Sequence, residues 1–310
     1  MPISRRRPRG TAGAVRLPLR AGCGRWLGLP YDCGALRVAA YRANMMLTIR
    51  RGLETVRDRI ARAAESAGRD PADVRLVAVS KAFPPQAVRD AAACDQRAFG
   101  ENYAQEGVDK IAAVEALLRE AQDRPGSQRA SPRTSATSPF AQQHPPFSLE
   151  WHFIGPIQSN KTKLLAQHFH WVQSLDRVRV AERLAHQRPP GLEPLQICIQ
   201  VNVSGEATKS GVEPHAVAEL AQRVAVLPGL RLRGLMTIPE PTSDAQSLRR
   251  QFRMLRELRD DLAAHGFALD TLSMGMSDDF EVAIAEGATM VRIGRAIFGD
   301  RPLRPRTSVL

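Results

Sequence analysis

Val77-Ala-Val-Ser-Lys81 places a lysine directly after an apolar, β-branched run that begins at Val74. Buried strands of parallel sheets read as continuous Val, Ile, Leu and Ala, and an ammonium is almost never fully buried without a partner or a chemical task. Taken alone, Lys81 fits a strand-end side chain that snorkels to solvent. Repetition changes its weight. From Val74 onward, eight short apolar segments end near Val79, Phe99, Phe153, Gln173, Val201, Met236, Leu272 and Ile293, each followed by a polar or glycine-rich loop and a helical pattern. Eight alternations of strand and helix predict an α/β protein built as a single (β/α)8 TIM-type barrel. In that fold the residues just past the strand carboxyl ends build the functional face.

The helical stretches carry their own punctuation. Leu53, Val56, Ile60 and Ala64 form one stripe with Gly68 past its end, which predicts a first helix packed under or beside the barrel. Near the other end, Ser277 precedes Asp278 and Asp279 in a first turn, Phe280 and Ile284 follow at a four-residue interval, and Gly287 closes the segment. Met45 to Leu310 is 266 residues, close to the roughly 250 of such a barrel.

The formal charge of +12 suggests nucleic acid until it is divided along the chain. Residues 1–44 hold nine arginines and one acid, Asp32, and so carry +8, which leaves the remainder at +4. With no aromatic interleaving and no recognised nucleic-acid module, the mildly basic barrel gives no specific nucleic-acid partner. The arginine-rich head reads as an organellar transit segment, a nonspecific basic tail, or sequence upstream of a wrongly assigned start; Met45-Met46, directly before the first amphipathic helix, favour the last. The domain reading is therefore a basic extension at 1–44, a barrel at 45–302, and a tail at 303–310. Within the barrel, residues 121–148 mix Pro125, Pro132, Pro139, Pro145 and Pro146 with Ser, Thr, Gln and Arg, as a disordered insert does. Lying between the helix after strand 2 and strand 3, it falls at the amino-terminal, stability face and is expected to be dispensable for ligand binding. Cys23, Cys33, Cys94 and Cys198 show no CxxC spacing and read as reduced thiols of a cytoplasmic protein. No apolar span is long enough to cross a bilayer.

Two loops bear chemistry. Ser273-Met-Gly-Met-Ser277 follows strand 7, and Gly294-Arg-Ala-Ile-Phe-Gly299 follows strand 8. Barrels frequently bind phosphate between these loops through exposed backbone N–H groups. Ser273 and the amides near Gly275, Gly294 and Arg295 are the candidate donors. A desolvated lysine amine, for its part, can form a Schiff base with an aldehyde. Lys81 on strand 1 together with this cradle describes a site for a phosphorylated aldehyde, which is pyridoxal 5′-phosphate (PLP).

In these residues the chain resembles the pyridoxal phosphate homeostasis proteins, the YggS- and PROSC-like family. The matching stretches are Leu76–Lys81, Phe99–Tyr103 with Gln105-Glu106, Trp151–Gly155 with Gln158–Lys161, Gln200–Val203 with Lys209–Gly211, Gly234–Met236, Leu272–Asp278 and Val291–Gly294. They run in order from about Leu47 to Gly299 and are specific as a set. The resemblance does not reach residues 1–44 or the insert. It implies the barrel of the N-terminal domain of alanine racemase, a fold-type III PLP protein, without a C-terminal β-domain. Lys81 matches the lysine that holds the cofactor as an internal aldimine, Ser273 and the Gly294 loop the phosphate site, Arg292 the arginine facing the pyridine nitrogen, and Asn102 a cavity-lining position. An arginine can only donate to that nitrogen and so keeps it unprotonated. Arg295 departs from the threonine of many relatives, its amide or guanidinium standing in for the hydroxyl. The implied role is PLP homeostasis, with transient supply to PLP-dependent apoenzymes, by a monomer or weak dimer with no strong catalysis and hence no catalytic residues of its own.

The rival enzyme reading is a PLP-dependent amino-acid racemase. Racemases resembling this barrel carry a second, β-rich domain and a tyrosine opposite the lysine, whereas here the sequence ends shortly after the last strand and Tyr103 is the one tyrosine outside the basic head. Gly205–Gly211 echoes a phosphate loop but fails the Walker spacing, and reads as the flexible loop after strand 5. Lys161 and Lys209 are either a solvated pair or a positive rim on the cavity mouth. His168 and His170 are expected to cap the helix before strand 4, and no carboxylate pattern supports a metal.

Overall fold

Each expected apolar run forms a strand, and the strands pair in chain order. In the computed structural model these are β1 (Arg75–Val79), β2 (Ala98–Glu101), β3 (Glu150–Phe153), β4 (Trp171–Leu175), β5 (Leu195–Gln200), β6 (Leu230–Met236), β7 (Thr271–Ser273) and β8 (Met290–Ile293). They close into one parallel barrel, β8 returning to pair with β1. The structure describes residues 33–122, 148–205, 210–240, 242 and 244–300. The basic head up to residue 32, most of the proline-rich insert, Lys209 and the 303–310 tail lie outside these residues. By its contacts the chain divides at Ala40/Tyr41, and the barrel belongs to Tyr41–Leu310.

Among the described residues nine helices accompany the strands: α1 (Cys33–Ser66), α2 (Pro85–Ala92), α3 (Ala104–Gln122), α4 (Thr162–His168), α5 (Val178–Gln187), α6 (Val217–Ala225), α7 (Ala245–Ala264), α8 (Phe280–Ala285) and α9 (Arg295–Phe298). The backbone of α1 starts well before the boundary expected at Met45, at Cys33. The Ala-, Leu- and Arg-rich stretch after Cys33 is good helix-forming sequence, which the emphasis on its charge hid. Leu53, Val56 and Ala64 of the predicted stripe are fully buried and Ile60 nearly so; each of the three large side chains contributes about 1.5–3 kcal/mol. Gly68 ends the region in a left-handed conformation, φ +68°. Arg69 then donates to the Ile284 and Ala288 carbonyls and so ties α1 to the end of α8. The start of α8 differs from the reading: Asp279, not Ser277, is its N-cap, and the Asp279 carboxylate accepts the Met276 N–H.

Outward side chains of the strands, such as Ala78, Phe99 and Val172, pack in one core with the helices, while Val77, Ala98, Trp171, Cys198, Met236 and Met290 make a smaller apolar cluster apart from it. Gln173 of β4 bonds both His152 of β3 and Met290 of that smaller cluster, so polar groups share the space within the barrel. His170 is no helix cap, since its Nδ1 accepts the Trp151 amide across the β3–β4 gap.

Candidate functional site

Lys81 lies two residues past the end of β1, half-buried, in a turn held from several sides. Phe83 N–H donates to the Ser80 carbonyl, and Ala82 adopts φ +66°. A non-glycine residue there costs on the order of 1–2 kcal/mol and persists only where the surroundings impose it. Here the Ala82 amide donates to Glu106 Oε1 at 3.0 Å. Beneath it, Lys110 Nζ donates to the Ser80 carbonyl at 2.8 Å and to Glu101 Oε1 at 2.7 Å, and the Ser80 hydroxyl donates to the same carboxylate at 2.7 Å. Burial raises the Glu101 carboxyl above its ordinary range despite the Lys110 ammonium beside it. Ser80, Glu101 and Lys110, all buried, thus form the foundation of the Lys81 turn. Sequence reasoning named none of them as site residues.

Asn102 follows β2, its Oδ1 buried with no hydrogen-bond partner. Its backbone is pressed against Gly155 of the loop after β3, where a Cβ would come within 2.0 Å of the Asn102 carbonyl oxygen. The two loops can meet this closely only because residue 155 is glycine.

The loop after β7 is tied to β8 by the Arg292 amide, which donates to the Gly275 carbonyl at 2.9 Å. Gly275 has φ +96°, and any Cβ there would strike Phe280 and Ala283. Gly294 packs on β1, where a Cβ would lie 3.0 Å from the Val79 carbonyl oxygen. The cradle therefore adjoins the strand that carries Lys81. Arg292 is buried, donating to Ser273 Oγ at 2.7 Å and the Thr237 carbonyl at 2.8 Å. Burial lowers its guanidinium to about 10, with Asp279 opposing, and it stays protonated at neutral pH. Ser273 gives its own proton to Gln173 Oε1 at 2.6 Å. Burial pushes the Cys198 thiol up to about 12 and so holds it protonated.

The structure thus brings Arg292 and Ser273 together, joins Arg292 to Gly275, and sets Gly294 against β1. The Arg295 guanidinium turns to the surface, where both Asp278 carboxylate oxygens lie 2.6 Å away; of the two groups expected to replace the missing hydroxyl, the amide is the one left. Lys161 sits in the short turn Ser159–Lys161. Among the described residues no cluster of three His, Cys, Asp or Glu could hold a metal, and no helix is long and apolar enough to cross a membrane. An open groove of about 800 Å³ lies on the outer flank, lined by Arg59, Arg62, Arg249 and Glu281, away from these loops.

An orphaned acceptor on Asn102, two glycines whose backbones approach their neighbours closely, a buried cation and a half-buried lysine fit a small anionic carbonyl compound. Comparison with known proteins agrees. Residues 52–302 match the family model "alanine racemase, N-terminal domain". A pyridoxal phosphate homeostasis protein of Pseudomonas aeruginosa is 52% identical over 256 residues, covering 83% of this chain and 97% of that protein. The solved structure of PipY from Synechococcus elongatus with PLP bound is 31% identical at a TM-score of 0.62, covering 81% of this chain and all of PipY. Alanine racemase from Corynebacterium glutamicum shares the fold at 16% identity and a TM-score of 0.55, the match taking in 84% of this chain and 65% of the racemase.

Proposed function

The chain belongs to the pyridoxal phosphate homeostasis proteins of the alanine racemase N-terminal-domain family, and from that membership we propose that it holds PLP reversibly on Lys81 and serves PLP homeostasis. The observation that carries the reading is the adjacency of β1 and β8, with Gly294 packed on Val79 two residues before Lys81 and the buried Arg292 guanidinium on the same strand as that loop. When bound, PLP supplies an aldehyde that condenses reversibly with a primary amine, and an electron-poor ring.

Each residue has a task toward that group. Lys81 offers the amine. Lys110, committed to Ser80 and Glu101, does not compete with it. Gly275, Gly294 and the Arg295 amide would line the phosphate end; Ser273, expected as a donor there, spends its single proton on Gln173 and serves instead as the acceptor for Arg292. Arg292 would face the pyridine nitrogen and, being donor-only, would leave it without a proton. Held by such a residue, the cofactor would be a poor electron sink, a setting that favours holding it over transforming an amino acid. Asn102 contributes an acceptor near the β2 end. The racemase reading is the weaker one: its candidate second base, Tyr103, is 57% exposed, and the racemase likeness is one of fold alone. Transient supply of PLP to apoenzymes in the cytoplasm follows from this reading as part of the proposal.

The test is visible absorbance of purified protein with PLP, wild type beside Lys81→Ala, before and after borohydride. A yellow band that reduction converts into a PLP-sized mass on Lys81, absent from the variant, supports the proposal. A folded wild type without the band overturns it, and turnover of a D- or L-amino acid that vanishes with Lys81→Ala would install the racemase reading instead.

A further inference from the structure

Within the barrel, six side chains from five strands line up as one polar run. Arg292 on β8 donates to Ser273 on β7 at 2.7 Å, and Ser273 donates to Gln173 Oε1 on β4 at 2.6 Å. Gln173 Nε2 lies 2.8 Å from His152 Nδ1 on β3, and His152 Nε2 lies 2.5 Å from Glu150 Oε1 on the same strand. Arg75, the first residue of β1, closes the run, with a guanidinium nitrogen 2.8 Å from the same oxygen. Ser273, Gln173 and His152 are fully buried, and Glu150 is 7% exposed.

Chemistry fixes the direction of this run. Guanidinium is donor-only, so Ser273 accepts from Arg292 and its one proton goes to Gln173 Oε1. Gln173 then presents its oxygen to Ser273 and its amide hydrogen to His152. With Nδ1 accepting from that amide, His152 carries its proton on Nε2, the nitrogen that lies beside the Glu150 carboxylate. Its ring is stacked on Trp171 with centroids 5.3 Å apart. Hydrogen bonds aligned head to tail polarise one another, the more so in a low dielectric. One consequence reaches the cofactor end: Ser273 can accept from Arg292 because its single proton is taken by Gln173.

We propose that Gln173 and His152 are positioning residues of the cofactor site, acting through Ser273 to fix the Arg292 guanidinium against the pyridine ring. The inference rests on the PLP reading above and deepens it. Neither residue is assigned a contact with the cofactor in this proposal. Their effect is to choose which way the Ser273 hydroxyl points, and with it where the Arg292 charge sits.

Gln173→Met removes the amide's hydrogen bonds to Ser273, His152 and Met290 at similar volume. The readout is the pH midpoint of the Lys81-bound chromophore. A guanidinium held near the ring opposes protonation of that chromophore, so loosening it raises the midpoint, by about one pH unit. Ser273→Ala should raise it in the same way, and Gln173→Met should add little in the Ser273→Ala background, since residues acting in series are non-additive. Borohydride should still label Lys81 in all three variants. An unchanged midpoint in a folded Gln173→Met protein, or a shift that persists undiminished on top of Ser273→Ala, overturns the inference. If Gln173→Met does not fold, His152→Phe keeps a ring on Trp171 and breaks the run one bond farther out; a raised midpoint supports the proposal and a wild-type midpoint refutes it. Absence of any chromophore in the wild type would instead refute the PLP reading.

Discussion

The Lys110 ammonium lies 2.7 Å from the Glu101 carboxylate, and both side chains are almost wholly removed from solvent, at 4% and 0% exposure. The pair stands directly under the turn that carries Lys81, because Lys110 also grips the Ser80 carbonyl. Glu101 Oε2 is buried without a partner, so Lys110 and Ser80 are its main compensation. Breaking such a pair from one side leaves an uncompensated buried charge and costs about 3–5 kcal/mol. Lys110→Met is therefore expected to lower the urea midpoint strongly and to weaken PLP binding. Adding Glu101→Gln should recover part of the stability, since a neutral amide is easier to bury. A Lys110→Met protein within about 1 kcal/mol of wild type would show the pair to be incidental.

Glu150 supplies a pH signature. Burial alone would raise its carboxyl, but the His152 ring and the Arg75 guanidinium outweigh burial and hold it well below the usual carboxylate range. A folded pKa below the unfolded one contributes stability that is complete above the unfolded value, near 4.5, and is lost as pH falls toward the folded value. His152, lowered by burial, acts in the same sense: as pH drops below its ordinary 6.5, the unfolded chain takes up a proton that the folded one resists. Stability should thus fall from pH 7 to pH 3, with on the order of 2 kcal/mol traceable to Glu150. Urea unfolding across that range should give a flatter profile for Glu150→Gln. Parallel profiles would remove Glu150 from the account.

Two inward glycines separate packing from site geometry. A Cβ at Gly155 would fall 2.0 Å from the Asn102 carbonyl oxygen, a backbone atom that cannot step aside. At Gly100 the nearest atoms are side-chain methyls of Ile154 and Val77, at 3.1 and 3.2 Å. Gly155→Ala should displace the Asn102 loop, costing roughly 2 kcal/mol or more, the upper part of the range for overpacking, and PLP affinity should drop with it. Gly100→Ala should cost less than about 1 kcal/mol and leave affinity near wild type. Equal effects in the two variants would contradict this reading of the Asn102–Gly155 contact.

These contrasts show what the sequence could disclose. Strand ends were legible to within two residues because each is an apolar run cut off by a polar or glycine-rich loop. The α1 stripe was legible through its 3.6-residue period. Glycines of the β7 and β8 loops stood out because their spacing already matched a phosphate cradle. The polar run through the barrel was not legible, although Glu150, His152, Gln173 and Ser273 all stand in or near quoted motifs. Which strand residues face inward depends on the register of the closed sheet, and the partners are remote: Gln173 is 21 residues from His152 and 100 from Ser273. Lys110 escaped for a related reason. It sits in the middle of α3, where a lysine normally faces water, and only the fold turns it toward Glu101.

Arg295 gives the last expectation. Its guanidinium has both Asp278 carboxylate oxygens within 2.6 Å at the surface, with side-chain exposures of 61% and 80%, and so is directed away from the cradle. Ion pairs this exposed contribute at most about 1 kcal/mol and are screened by salt. What residue 295 offers a phosphate is then its backbone amide, which any residue but proline retains. Arg295→Ala should leave the affinity for PLP within about threefold of wild type, a difference under 1 kcal/mol, and that small difference should shrink further as salt is raised. Arg295→Thr adds a short hydroxyl at the same place and should bind PLP at least as well as the alanine variant. Titration of the PLP chromophore at two ionic strengths decides the matter: a tenfold or larger loss in Arg295→Ala at high salt would mean that the guanidinium leaves Asp278 to hold the phosphate itself.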